Sequence, residues 1–409
     1  MMLPFRTASR LAISTLIPLA FTMGSVASAG ASPASHDRSG NVYTVHQILS
    51  GMTLTHDFVP SGGGGPTTEP LADPDDITEL DGNVFAGFQN DVGPQGQASS
   101  DGNLDSTIVE LRPIGDPVAQ WDVEGKADGV TADPQAGTVI VTVNEDANSS
   151  LYTIDPSEGA GNGVTHYSYN EPLPHNGGTD AISIYNGQIL ISASAPGTRG
   201  ASAPQAGYPG VYSVTLDSST NVATVVPLFY DEDRATAANQ GSRYGQSVAL
   251  ALTDPDSNEV VPVGARFGGD FMLTSQGDQE QIFVNDAGGR HQSLAVLSLS
   301  QSVDDTAWPT RPGGTLYATD STNDAIDTID TIVGPFIPGQ PLAVATPCGS
   351  NSAPATCPAP PSYPANFLAT INPLTGQVAA VTVEGAVFTP QGGLLFIPRD
   401  DGHGYGGRS

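Results

Sequence analysis

Apolar positions in this chain fall into short runs rich in Val, Ile and Thr, separated by corners of Gly, Pro, Asn and Asp, and almost nowhere at helical spacing. Residues 125–155, GKADGVTADPQAGTVIVTVNEDANSSLYTID, contain the unit. A polar opening (126–129) leads into a short strand (130–132), a turn (133–137), a β-branched strand (138–143), a second polar corner (144–148) and a third strand (151–154). Helix is scarce, and only residues 231–239 invite a helical turn or two.

Similar units recur. The first opens PDDITELDGNVFAGFQND, the third TDAISIYNGQILISASAP, the fourth GQSVALALTDPDSN, the fifth DDTAWPTRPGGTLYATDSTN, and a shortened sixth is FTPQGGLLFIP. Aligning the openings puts one polar residue at the same place in each: Asp76, Asp128, Asp180, Gln246, Asp305 and Gln391. Their intervals are 52, 52, 66, 59 and 86 residues. A repeat of about 50 residues with four short strands each points to an all-β fold, a β-propeller, and six registers point to six blades. The sixth unit lacks outer strands, while residues 41–49 and 52–59 read as two N-terminal strands with no repeat of their own. Pairing the two closes the last blade and removes an exposed edge. A sandwich or a two-domain β protein is the alternative architecture.

Two stretches carry a family resemblance: ADGVTADPQAGTVIVTVNED and the terminal TPQGGLLFIP. The chain resembles the secreted NHL-like and gluconolactonase-like six-bladed propellers of bacteria over nearly all of residues 30–398. The resemblance implies a divalent metal in the channel that polarises an ester carbonyl beside an acid/base group. The chain departs from that pattern in having no glutamate at the opening of its first blade. It lacks the tandem WD dipeptides of WD repeats, and with Trp121 and Trp308 alone it does not resemble tryptophan-docked propellers.

The ends alter the reading of the whole. Arg6 and Arg10, an apolar run over 11–23 and Ala27-Ser28-Ala29 describe a secretory signal peptide over residues 1–29. A disordered leader over 30–40, one propeller domain over 41–398 and a flexible tail over 399–409 are expected to follow. The product is expected to be exported and monomeric. No later segment approaches the roughly 20 apolar residues of a membrane span. Cys348 and Cys357 flank a Ser/Ala-rich segment and read as one local disulfide.

Without the signal the chain carries 11 basic and 43 acidic residues, a net charge of −32, with Lys126 as its single lysine. Such a surface repels nucleic acid and anionic lipid and favours cations. Because the first strand of a propeller blade lies nearest the axis, the aligned openings gather at one mouth. Asp76, Asp128, Asp180 and Asp305 are the expected metal ligands, with Gln246 and Gln391 as neutral ones. Ca²⁺ or another divalent ion suits them, since it accepts several oxygens in flexible geometry. The competing reading is that each Asp hydrogen-bonds the backbone of the neighbouring blade. Lys126, Asn144, Glu145, His175, Arg243 and Tyr244 flank the ring as expected ligand contacts, Lys126 being a base, an anion clamp or a counter-ion to the ring.

Other motifs fail on context. Asp254-Pro255-Asp256-Ser257-Asn258 begins like a calcium loop, but Ala265 stands where its terminal Glu belongs, so a hairpin turn is expected. No nucleophile elbow, metalloprotease helix or phosphate loop is present. The leading expectation is a secreted propeller that binds a cation, and through it a small molecule or an extracellular protein, at an acidic mouth. The rival is a metal-dependent hydrolase or lyase acting on a lactone or ester there. A purely structural surface protein is third.

Overall fold

The computed structural model describes residues 41–194, 207–347, 365–385 and 388–399. The expected signal peptide and leader, the Cys348/Cys357 pair and all but the first residue of the tail lie outside the described residues. Among the described residues there is no α-helix, only five single 3₁₀ turns among the strands. Among them no helix is long and apolar enough to cross a membrane.

Each repeat forms an antiparallel sheet that begins at an inner strand. The first sheet runs Pro74–Leu80, Asn83–Phe88, Asp105–Leu111, Pro117–Glu124. The second runs Ala127–Asp133, Thr138–Val143, Ser150–Ile154, Val164–Tyr169, and the third Ile182–Tyr185, Gln188–Ser192, Pro209–Asp217, Val222–Tyr230. A short parallel pairing of Ser168 and Tyr169 with Val222 and Ala223 joins these two into one eight-stranded sheet. The fourth starts at Pro255–Val260 and continues through Phe271–Ser275, Glu280–Asn285 and Ser293–Ser298 to Arg234–Ala237 and Ser247–Ala249. The segment over 231–239, expected to be helical, is thus partly strand: Thr236 and Ala237 pair with Ala295 and Val296. Cross-strand burial of Ala235 and Ala237 outweighs a weak helical preference.

The last two sheets are interleaved, which corrects the reading of residues 304–323 as one repeat. The fifth runs Val303–Ala307, Leu342–Ala345, Phe367–Ile371, Val378–Ala380. Gly314–Asp320 and Ala325–Val333 leave it to become the second and third strands of the sixth sheet, beside Leu394–Pro398. The N-terminal strand Val42–Ser50 pairs antiparallel with Ala325–Val333 and parallel with Thr382–Gly385, so it does supply an outer strand to the last sheet. The second expected N-terminal strand does not join it. Thr55–Phe58 instead forms a separate hairpin with Thr67–Pro70.

Alternating side chains on each sheet face pack against the next sheet, giving six apolar clusters among the described residues. Trp121, Phe85 and Val141 fill the first-to-second contact. Tyr43, Leu316 and Leu394 meet Leu342 and Leu368 between the fifth and sixth. The cluster that closes the series joins Leu49, Tyr317 and Ile326 of the sixth sheet to Val84, Phe88 and Val109 of the first. The inner strands contact one another in the same cyclic order. Burying such faces, at roughly 25 cal/mol per Å² of apolar surface, is the main stabilising term.

Candidate functional site

A cavity of about 420 Å³ is lined by residues of all six inner strands or of the segments leading into them. Four of those strands share an irregularity at the same place. Pairing with the second strand slips between Pro74 and Ile77, between Ala127 and Gly129, between Pro255 and Asn258, and between Val303 and Thr306. The residues inside these bulges are Asp75-Asp76, Asp128, Asp256-Ser257 and Asp304-Asp305. A bulge re-aims the side chain it carries, and here every one carries a carboxylate that lines the cavity.

The strands are also tied to each other through their carbonyls. Thr142 Oγ1 donates to Asp180 O at 2.6 Å, and Thr319 Oγ1 donates to Asp75 O at 2.5 Å. Both threonines sit at the end of a second strand and reach the next inner strand, which puts Asp75 and Asp180 in the same register. Asp128, Asp256 and Asp304 complete that ring. Its sixth place belongs to Gly392, whose amide donates to Asp304 Oδ2 at 3.3 Å. At Gly129 the next strand comes so near that a Cβ would stand 2.6 Å from Asp180 O.

One residue deeper, Asp76 and Asp305 behave alike. Asp76 accepts the amides of Ile77 (2.7 Å) and of Val130 on the next inner strand (2.6 Å). Asp305 accepts those of Thr306 (2.7 Å) and Leu394 (2.6 Å). For these two the neighbouring-strand reading is what the geometry contains. Glu259 accepts the amide of Val260 at 3.2 Å and faces Asp305 and Asp76 electrostatically.

In the ring the carboxylates are unequally matched. Lys126 Nζ lies 2.7 Å from Asp128 Oδ1 and 2.6 Å from Glu145 Oε1, and the Glu145 amide donates to Asp128 Oδ2 at 3.0 Å. Gln89 Nε2 bridges Asp75 Oδ2 (2.7 Å) and Asp128 Oδ1 (3.2 Å). The carboxylate of Asp180, a residue only 7% exposed, accepts no hydrogen bond from the described residues. Burial pushes Asp128 and Asp304 up to about 7, Asp76 to about 8 and Asp305 to about 6, and it drives Asp75, Asp180, Asp256 and Glu259 well above the usual range. Burial opposes the charge on Lys126, but Asp128, Glu145 and Asp75 outweigh it and hold the ammonium well above the usual lysine value. A lysine so paired is placed as a counter-ion to the ring.

Of the expected metal ligands, Asp128 and Asp180 lie in the ring, while Asp76 and Asp305 lie one step below it. Gln246 is not in the ring. It is exposed and turned back onto Ser242 O at 3.0 Å, and Asp256 holds its register instead. The DPDSN segment over 254–258 is therefore the start of an inner strand and not a hairpin turn, because Pro255 falls where the bulge leaves its missing N–H unneeded. Gln391 is exposed just before the sixth strand, its backbone bonded to Thr319. Among the flanking residues, Asn144 is buried in the corner, accepting the Lys126 amide and donating to Asn148 O, and does not line the cavity. His175 lies in the turn Pro174–Asn176, close to the Glu145 corner in the chain path through Gly178. Arg243 and Tyr244 stand exposed at the turn Gly241–Arg243 and also do not line it. Asp75, Asp256, Glu259, Asp304 and Gln89 were missed by the repeat alignment.

Among the described residues no group of three or more His, Cys, Asp or Glu side chains is arranged to hold one metal ion. No protein-family model and no curated protein matches the sequence. Solved structures with a similar fold include the periplasmic gluconolactonase of Pseudomonas aeruginosa, at 11% identity over 87% of this chain and 98% of that one (TM-score 0.43). Another is a protein of unknown function from Bacteroides caccae, at 11% identity over 81% and 90% (TM-score 0.41). The WD40 propeller domain of Doa1 follows at 9% identity over 80% and 95% (TM-score 0.34). Likeness at this level carries no argument about activity.

Proposed function

We propose that the carboxylate ring binds a cation, Ca²⁺ or another divalent ion being the inorganic candidate, and through it a small ligand or an extracellular partner of an exported protein. In this reading the sheets are the six blades of a propeller, the last closed by Val42–Ser50. The observation that carries it is Asp180. A carboxylate buried without donors is costly unless a charge neutralises it, and here burial, Glu145 and Asp128 outweigh the favourable pull of Lys126. Eight carboxylates line the cavity, and the sole ammonium beside them, Lys126, is committed to Asp128 and Glu145. The side chains are spread round the ring, so binding asks for their convergence, which the variable coordination of Ca²⁺ with carbonyls and waters tolerates.

The test is the metal content of the purified protein by elemental mass spectrometry, with its melting temperature before and after EDTA and after Ca²⁺ is restored. A stoichiometric ion whose removal lowers the melting temperature is expected, because a ligand that binds only the folded state stabilises it. A metal-free protein indifferent to EDTA and to added Ca²⁺ would sink the divalent-ion form of the proposal.

One observation favours hydrolysis at the same mouth as a second reading. Asp128 and Asp304, raised to about 7, exchange protons near neutral pH as a general acid or base does. Turnover of any lactone or ester in a substrate panel, lost in Asp304→Asn, would establish it.

A further inference from the structure

The cavity has a second feature that a bare metal ion leaves unused. Its carboxylates stand at two levels. Asp180, Asp256 and Asp304 occupy the ring, and Glu259 lies three residues further along the strand that carries Asp256, past the bulge between Pro255 and Asn258. Glu259 interacts electrostatically with Asp305 and Asp76, which also lie below the ring. Below the ring the wall is mixed: Ile77, Val130 and Ile182 line it among Thr78, Thr131, Ser183, Ser257 and Asn258. At each level a carboxylate is short of donors. Asp180 is 7% exposed and lines the cavity, and its carboxylate accepts no hydrogen bond from the described residues. Glu259 accepts only the amide of the residue after it.

Resting on the reading of the ring as a cation site, we infer that the cavity takes a linear aliphatic diamine or polyamine, one ammonium at Asp180, Asp256 and Asp304 and a second at Glu259. The methylenes between the charges lie against Ile77, Val130 and Ile182, and their burial adds to the two ion pairs. An ammonium brings several N–H donors to carboxylates that have one backbone donor or none, which an apolar guest does not. A monoamine of the same length satisfies one level and leaves the other unmatched. An anionic guest meets eight carboxylates and is disfavoured.

The experiment is isothermal titration of the full mature chain, first with Ca²⁺ alone, then with alkyl monoamines and with the diamines from diaminoethane to diaminooctane, and with spermidine. Diamines are expected to bind at least about tenfold more tightly than monoamines of equal length, the worth of one desolvated charge pair. Affinity is expected to peak inside the series, and high salt to weaken it. In Glu259→Gln the diamine advantage falls toward parity, with circular dichroism and melting temperature as checks on folding. Equal affinity for monoamines and diamines overturns this inference, and it leaves the ring reading standing if Ca²⁺ or monoamines bind. Silence toward Ca²⁺ and every amine overturns both. The ligand series on the unaltered protein decides the matter even if Glu259→Gln does not fold.

Discussion

Lys126 Nζ sits 2.7 Å from Asp128 Oδ1, two residues along the same strand opening, and with Glu145 it forms a three-member charge network at the edge of the ring. Removing its ammonium leaves two carboxylates, one of them almost wholly buried, without a cation. Lys126→Met is expected to destabilise the fold by about 3 kcal/mol at pH 8, the cost of breaking a buried pair. The loss shrinks at pH 5, where Asp128 takes up a proton. Denaturant midpoints at the two pH values check this, and an equal loss at both would show that Lys126 acts through packing and not charge.

The carboxylates lining the cavity give the fold a pH dependence of definite sign. Asp76, Asp128, Asp304 and Asp305 have folded values raised to about 8, 7, 7 and 6, above the unfolded carboxylate value of about 4. The folded state therefore binds more protons, and stability is fully present below about pH 4 and lost as pH rises through 6 to 8. Other acidic groups act in the opposite direction at low pH, so the clean window is the upper one. The melting temperature of the metal-free protein should fall between pH 6 and pH 8, and a bound cation should flatten that slope.

Gly129 is where the second and third inner strands come nearest. A Cβ there would stand 2.5 Å from Thr142 Oγ1, 2.6 Å from Asp180 O and 2.9 Å from Ala181 Cα. Two of those three atoms are backbone and have nowhere to move without opening the strand contact. Gly129→Ala should cost about 1–3 kcal/mol by overpacking. It should also weaken cation binding, because it displaces Asp180. Unchanged stability would mean that the inner strands slide past each other freely.

How much of this could be read beforehand depends on the residue. Asp128 and Asp180 were legible because each opens a short apolar run from a Gly- or Ala-flanked corner. Asp75 and Asp304 were hidden by their own neighbours: in an Asp-Asp dipeptide a period of two cannot say which carboxylate belongs to the ring, and the bulge brings both to the cavity. Asp256 was masked by Pro255 and Asn258, which read as a turn, so the alignment slid to Gln246. Closure by residues 41–49 was legible from the missing outer strands of the last repeat. The interleaving of the fifth and sixth sheets was not, since pairing of Thr315 with Ile397 is a long-range contact with no local signature.

Asp76 and Asp180 look equivalent in sequence and should respond oppositely to substitution. Asp76 accepts two buried amides, so Asp76→Ala strands both donors and should cost about 2 kcal/mol or more. Asp76→Asn keeps an acceptor and loses a disfavoured charge, so it should be nearly neutral. The Asp180 carboxylate accepts no hydrogen bond from the described residues, and burial, Glu145 and Asp128 oppose its charge more than Lys126 favours it. Asp180→Asn should therefore raise the melting temperature of the metal-free protein at pH 8 while lowering its affinity for cations, as expected where a binding site is kept at the expense of stability. Melting curves and titration calorimetry on the three variants separate the roles. An Asp180→Asn protein that binds cations as before, or that melts lower than its parent, would return Asp180 to a structural role like that of Asp76.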